Sequence, residues 1–267
     1  MPNFQKLSVI IPAYNKDTEV FKVVSSYIKV LKHLAFDWEI IVVDDASHDS
    51  TLREAVRSKK FNGNSDKVKI FSYNLNQGKG YALYHGFKQS TGDTIAFADA
   101  DLDLPATNLP ILLDYFEKSD SPVVIGSKRH PKSKVEYPIS RRFMSFCHHI
   151  LVKMLFNLNV SDTQLGLKVF KREVLETSFP RLVVKQFAFD LELLVVAQTQ
   201  NFENIIEAPV TLNYNFSSTI HVSSIFKILM DTAAIFYRKN FLKYYIEPKN
   251  RFEIDSKSIA ALQKTYI

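Results

Sequence analysis

Over its first 127 residues the chain alternates short β-branched apolar runs with segments of helical spacing, and this alternation most restricts its fold. Leu7–Ile11, Trp38–Val43, Val68–Phe71, Thr94–Ala98 and Val123–Ile125 read as strands. Between them, apolar residues recur at helical spacing, as in Val20, Val23, Val24, Tyr27, Ile28 and Leu31. Helices are also predicted from Thr51, over Gly78–Gln89, and from Pro105 to about Lys118. Strands that alternate with helices imply an α/β layer around a mainly parallel sheet. Ligands of such sheets gather at the carboxyl ends of the strands. Polar clusters stand at those ends here: Ala13-Tyr14-Asn15, Asp44-Asp45, Asp99–Asp103 and Gly126-Ser127-Lys128.

After residue 128 the alternation weakens. A basic loop (128–142) leads to an apolar helix (143–157), then a strand near 168–170, a helix (187–199), a strand (204–208) and a helix (223–239). Charge also divides at this point. Residues 1–127 hold 14 Lys+Arg against 16 Asp+Glu, and residues 128–267 hold 20 against 12, so the second half faces something anionic. Residues 128–153 carry seven basic side chains and one acid, Glu136, beside an apolar aromatic stretch. That setting fits a phosphate near a lipid surface better than nucleic acid, for which no reading motif is present. The one cysteine, Cys147, excludes an internal disulfide. No signal peptide is expected from Met1–Lys6, and no uncharged run reaches the ~18 residues of a membrane span.

Asp99, Asp101 and Asp103 close a strand at alternate positions. Carboxylates at a strand end can hold a hard divalent cation beside a diphosphate, since Mg²⁺ uses one or two carboxylates and leaves other positions to water and phosphate oxygens. Asn76–Ala82 places Lys79 between two glycines at a helix start, where amides and a cation favour phosphate. Its spacing is not that of a Walker A loop. The seven histidines show no zinc spacing.

Ile10-Ile11-Pro12-Ala13-Tyr14-Asn15, then Val42–Thr51 with Asp44-Asp45, then Asp99-Ala100-Asp101, resembles the inverting family 2 glycosyltransferases in residue type, order and spacing. The resemblance implies an α/β GT-A (Rossmann-like) fold with a mainly parallel central sheet and C-terminal amphipathic helices. It implies a nucleotide-sugar site of Pro12, Ala13, Tyr14, Asn15, Glu19, Asp44, Asp45, Lys79 and Ala100. Tyr14 offers a stacking face, and a carboxylate accepts from base or ribose. The metal, Mg²⁺ or Mn²⁺, is assigned to Asp99, Asp101 and Asp103, although Asp103 stands where close relatives often have glutamine.

In the second half, Ile125–Arg129, Arg141–Ser145 and Asp162–Arg172 resemble the polyprenyl- or dolichyl-phosphate mannosyl- and glucosyltransferase branch. That resemblance assigns Lys128, Arg129, Arg141 and Ser145 to the acceptor phosphate. Lys128 replaces the arginine usual there, which removes a bidentate contact. Asp162, Gln164 and Asp190 are assigned, with Asp99 and Asp101, to catalysis. A phosphate acceptor already carries about −1.5 to −2 charge and needs no base, so Asp162 and Asp190 are read as orienting groups.

The expected organisation is a GT-A domain over 1–212, with a nucleotide-sugar half (1–127) and an acceptor half (128–212), and a membrane-interfacial extension over 213–267. The expected activity is inverting hexose transfer from a nucleotide diphosphate sugar, GDP-mannose favoured over UDP-glucose, to a polyprenyl or dolichyl phosphate. The expected setting is cytoplasmic and peripheral to the inner face of a membrane, by direct contact or through a membrane partner subunit. Two alternatives stand beside it: a family 2 transferase acting on a saccharide hydroxyl, and a non-catalytic nucleotide-sugar-binding protein.

Overall fold

The apolar strands are buried on both faces, as the absence of in–out alternation in the sequence requires. The computed structural model describes residues 4–63, 66–135, 139–186, 188–213, 222–252 and 264–266; the side chains of 139–145, 147–148, 222–226 and 264–266 lie outside that description. The element order is β1 (Lys6–Ala13), α1 (Val20–Leu31), β2 (Asp37–Asp44), α2 (Thr51–Phe61), β3 (Val68–Ser72), α3 (Lys79–Gln89), β4 (Thr94–Phe97), α4 (Asn108–Ser119) and β5 (Val123–Ser127). Then follow α5 (Ile139–Phe156), β6 (Lys168–Lys171), α6 (Arg172–Ser178), a 3₁₀ turn (Phe179–Arg181), α7 (Phe189–Thr199), β7 (Ile205–Pro209), α8 (Val222–Asn240) and β8 (Lys264–Tyr266).

The strands form one sheet in the order β7-β5-β6-β4-β1-β2-β3-β8. β4, β1, β2 and β3 run parallel, as do β5 and β7. β6 runs against both β4 and β5, and β8 against β3. The reversal of β6 puts its first residue, Lys168, opposite Phe97 and Ile125 near the carboxyl ends of its neighbours. The segment before β6 therefore joins the rim where the other polar clusters sit.

Two cores flank the sheet. Leu7, Val9, Ile11, Ile40 and Val42 face α1 and α4; Ile10, Ile41 and Val43 face α3 and α7. The periodic face of α1 is buried as expected. Ile235 and Tyr245 of the C-terminal region, with Phe252, belong to the second core, so the stretch read as an extension also packs on the domain. The structure differs from the sequence reading at several elements. α4 begins at Asn108, whose amide donates to Pro105, so the proline precedes the helix. α5 begins at Ile139 and takes in Arg141 and Arg142. The seven-residue α6 is too short to show a period.

Candidate active site

The rim is assembled from loops that bond to one another. Asn15, at φ 51°, accepts from the His48 amide through Oδ1 (3.0 Å), and its own amide donates to Ser47 Oγ (3.0 Å). The Lys16 amide donates to Thr51 Oγ1 (2.6 Å) and the Asp17 amide to Asp49 Oδ2 (3.2 Å). Residues 14–17 and 47–51 thus form one wall beyond β1 and β2. Tyr14 leaves it 42% exposed, edge-on to His48 at 6.4 Å. Ala13 and Ala100 are buried, Pro12 is half-buried, and Glu19 pairs with Lys16 at 2.7 Å. Asp44 is buried and accepts from the Ser47 amide at 3.4 Å; burial pushes its carboxyl up.

Asp45 points inward. Its carboxylate accepts from Tyr73 OH (2.7 Å), the Gln77 amide (2.7 Å) and the Gly78 amide (2.8 Å). These bonds hold the turn that starts α3. Gly78 sits at φ 89°, where an L side chain is strained, and a Cβ there would meet the Lys185 carbonyl at 2.6 Å. The Gly80 amide donates to that same carbonyl at 2.8 Å.

The turn delivers Lys79 to two carboxylates. Its Nζ lies 2.8 Å from Asp99 Oδ1 and 3.2 Å from Asp190 Oδ2. The other Asp190 oxygen takes Lys168 Nζ at 2.5 Å, and Lys168 also donates to the Leu165 carbonyl. Lys168 is fully buried. Two cations and two anions balance in this row. Burial opposes the charge on Lys79, but Asp190 and Asp99 outweigh it and hold the ammonium firmly protonated. Burial likewise opposes ionisation of Asp190, and Lys168 and Lys79 hold it below the usual carboxylate range. Burial draws Lys168 below the usual lysine range. Gly166 lies against Asp99: a Cβ would fall 1.8 Å from Oδ2, so no side chain fits while Asp99 stays in place.

Asp101 is raised to about 6 by burial and by Asp99, with Lys16 partly offsetting. Two carboxylates that repel each other at a strand end suit a hard cation, and oxygen donors of this kind match Mg²⁺ or Mn²⁺. Asp103 does not complete a triad: among the described residues, no three His, Cys, Asp or Glu side chains converge on one point. Its carbonyl instead accepts from the Asn213 amide at 2.9 Å. The fit is therefore to a pair, Asp99 and Asp101.

Beyond β5, the Asp162 carboxylate accepts from the Lys128 amide (3.1 Å) and lies 3.7 Å from Lys128 Nζ. Its other oxygen accepts from the Gln164 amide at 3.2 Å. Glu207 of β7 accepts from the Ser161 and Asp162 amides at 2.8 and 3.0 Å. Asp162 is thus a buried anchor for the 127–129 turn. Gln164 Nε2 is buried with no hydrogen-bond partner among the described residues. A donor so placed costs roughly 1–3 kcal/mol unless a ligand supplies the acceptor. Arg129 stacks on Phe146 of α5 at 5.8 Å. Arg141 and Ser145 lie on the α5 backbone, and their side chains lie outside the described residues.

The structure therefore brings together Lys79, Asp99 and Asp190, and separately Lys128 and Asp162, while turning Asp45 and Asp162 into anchors. Lys168 closes the Asp162–Lys168 motif, to which the sequence reading gives no role at that position. That reading also passed over Lys16, which faces Asp101 and Asp99.

A dolichyl-phosphate β-glucosyltransferase of Trichomonas vaginalis is 31% identical over 245 residues, covering 86% of this chain and 71% of its own. The Homo sapiens dolichyl-phosphate β-glucosyltransferase is 33% identical over 226 residues, 79% of this chain and 67% of its own. Among solved structures, the Mycobacterium tuberculosis glucosyl-3-phosphoglycerate synthase superposes with a TM-score of 0.67 at 19% identity, covering 88% of this chain and 80% of that one. A complex of that synthase with Mn²⁺, UDP-glucose and phosphoglyceric acid gives 0.68 at 18%, covering 88% and 79%. These likenesses are to the GT-A fold. The pattern described as "Glycosyl transferase family 2" matches residues 8–179, from β1 through the 3₁₀ turn, and the chain belongs to that family.

Proposed function

We propose that the protein transfers glucose from UDP-glucose to a dolichyl or polyprenyl phosphate, with inversion. The observation that carries this reading is the row Asp99–Lys79–Asp190, which sets a metal-competent carboxylate and a phosphate-seeking ammonium on the same rim as the basic 128–134 turn. The relatives compared above are named for glucose, which supports UDP-glucose over the GDP-mannose favoured from sequence. The acceptor phosphate oxygen attacks the anomeric carbon opposite the diphosphate, the bond from that carbon to the β-phosphate oxygen breaks, and UDP leaves. Tyr14 and Asn15 would bind the nucleotide. Lys79, released in part from Asp99, would contact the diphosphate, and Gln164 Nε2 would donate to substrate. A divalent cation held by Asp99 and Asp101 would neutralise charge on the leaving group. Lys128 and Arg129, with Arg141 and Ser145, would hold the acceptor phosphate in line.

Contact with a membrane surface would bring the lipid to this turn. No helix among the described residues is long and apolar enough to cross a membrane. α5 exposes Phe146, Ile150 and Met154 at four-residue steps, and α8 exposes Leu229, Met230 and Tyr237. Such faces suit a peripheral seat at an interface. The test is incubation with labelled UDP-glucose or GDP-mannose, dolichyl phosphate and Mg²⁺ or Mn²⁺, followed by solvent extraction. Glucose label in the lipid phase is expected. Mannose label alone would restore the other donor, and no lipid label from either would overturn the reading.

A further inference from the structure

Glu192, two residues beyond Asp190 on α7, is fully buried and takes no part in the chemistry above. Four donors converge on it. Oε2 accepts from the amides of Val183 (2.8 Å) and Val184 (2.7 Å). Oε1 accepts from Arg238 Nη1 of α8 (2.6 Å) and Tyr245 OH beyond α8 (2.7 Å). Arg238 also donates to Tyr245 OH at 3.1 Å.

The strap of residues 182–186 that Glu192 holds is the one touching the Lys79 turn. Its Lys185 carbonyl accepts the Gly80 amide at 2.8 Å and closes the space beside Gly78. Lys185 Nζ donates to Gln77 Oε1 at 3.3 Å. The C-terminal segment grips the same region from the other side. Lys227 of α8 reaches Gln186 Oε1, and the amides of Lys249 and Asn250 both donate to the Pro180 carbonyl at 2.8 Å. A continuous path of bonds therefore runs from α8, through Glu192 and the strap, to the turn that carries Lys79.

We infer that Glu192, with Arg238 and Tyr245, is a positioning residue: it makes the seat of α8 set the place of Lys79 between Asp99 and Asp190. The inference rests on the transfer reading for the importance of Lys79, and on hydrogen-bond geometry for the path itself. A carboxylate is required because it alone accepts from four donors at once without donating to any. Glutamine would turn an NH₂ toward either two amides or the arginine.

The test uses the full chain and two variants, Tyr245→Phe and Glu192→Gln. Lys79 acylation is followed by mass spectrometry without substrate, with Lys69, paired to Glu39 near the amino-terminal ends of β3 and β2, as the internal reference. Each lost hydrogen bond is worth roughly a fivefold change in local opening. Lys79 acylation is expected to rise about fivefold in Tyr245→Phe and about tenfold or more in Glu192→Gln, with Lys69 unchanged. In transfer assays kcat is expected to fall by similar factors while KM for the nucleotide sugar moves less than twofold. Equal rises at Lys79 and Lys69, or a fall in Tm with Lys79 acylation unchanged, would overturn the inference. If Glu192→Gln fails to fold, Tyr245→Phe decides alone. Acylation requires no activity, so a failed transfer assay with a selective Lys79 response would count against the substrate reading and not against this one.

Discussion

Replacing Asp190 by asparagine removes the counter-charge of Lys168, a lysine with no exposed surface whose ammonium makes, among the described residues, one other hydrogen bond, to the Leu165 carbonyl. Breaking a buried pair from one side costs roughly 3–5 kcal/mol. Lys168 can escape part of this by losing its proton. The cost of folding with a neutral lysine is about 1.4 kcal/mol for each unit between the solution pH and an unfolded pKa of about 10.4. The penalty is therefore capped near 4 kcal/mol at about pH 7.5 and near 1.2 kcal/mol at about pH 9.5. Urea unfolding of the wild type and Asp190→Asn at both pH values measures it. The expected loss is about 3–4 kcal/mol at the lower pH and about 1 at the higher. The double variant with Lys168→Met should recover most of the loss, because no buried charge then lacks a partner. A loss below about 1 kcal/mol at pH 7.5, or one independent of pH, would refute the reasoning. Transfer should be lost in both the single and the double variant, since Lys79 has lost Asp190 in each.

Other outcomes follow from the same geometry. Gly166→Ala should keep the wild-type Tm within a few degrees and lose divalent-cation-dependent transfer by about 100-fold or more, because the new methyl group displaces Asp99; metal titration by calorimetry would show the weakened site. His85 is buried among Phe71, Tyr73 and Tyr81, and burial lowers its pKa to about 4. Its neutral form contributes stability that is complete above an unfolded pKa of about 6.5 and is lost as pH falls toward 4, roughly 3 kcal/mol in all; His85→Gln should flatten that part of the stability profile. Tyr14→Ala should raise KM for the nucleotide sugar by roughly tenfold with little change in Tm, reflecting a lost stacking face. Met230→Ser with Tyr237→Ser should weaken sedimentation with anionic vesicles by several-fold while leaving the circular dichroism spectrum unchanged.

The first half of the chain was legible because a buried parallel strand and an amphipathic helix each have a sequence period, and every polar cluster closed one of those strands. Direction is not encoded in such a run: Lys168–Phe170 reads alike either way, so periodicity hides the reversal of β6, and only the resemblance places residues 162–168 at the rim. Residue type also conceals orientation. Asp45 and Asp162 look like ligands-in-waiting, yet two of the chain's own amides already bond to each. Lys168 and Glu192 stand in motifs, yet no motif shows that they are buried, because each finds its partner at a distance, 22 residues away in Asp190 and 46 in Arg238.

The reversed strand also bears on how such proteins diversify. β5 and β6 lie side by side, with Ile125 opposite Lys168, so the whole run between them leaves and re-enters the sheet at nearly the same point. An excursion whose ends already meet can change length cheaply: doubling it adds only about 0.6 kcal/mol of closure entropy. The donor pocket proposed above, built on β1, β2 and β4, meets that excursion where Gly166 lies against Asp99 and where the Leu165 carbonyl takes Lys168. Acceptor preference can then drift, or be exchanged by grafting, as a cassette over residues 128–167, provided that glycine remains at 166 and the acid at 162 still meets the amide at 128.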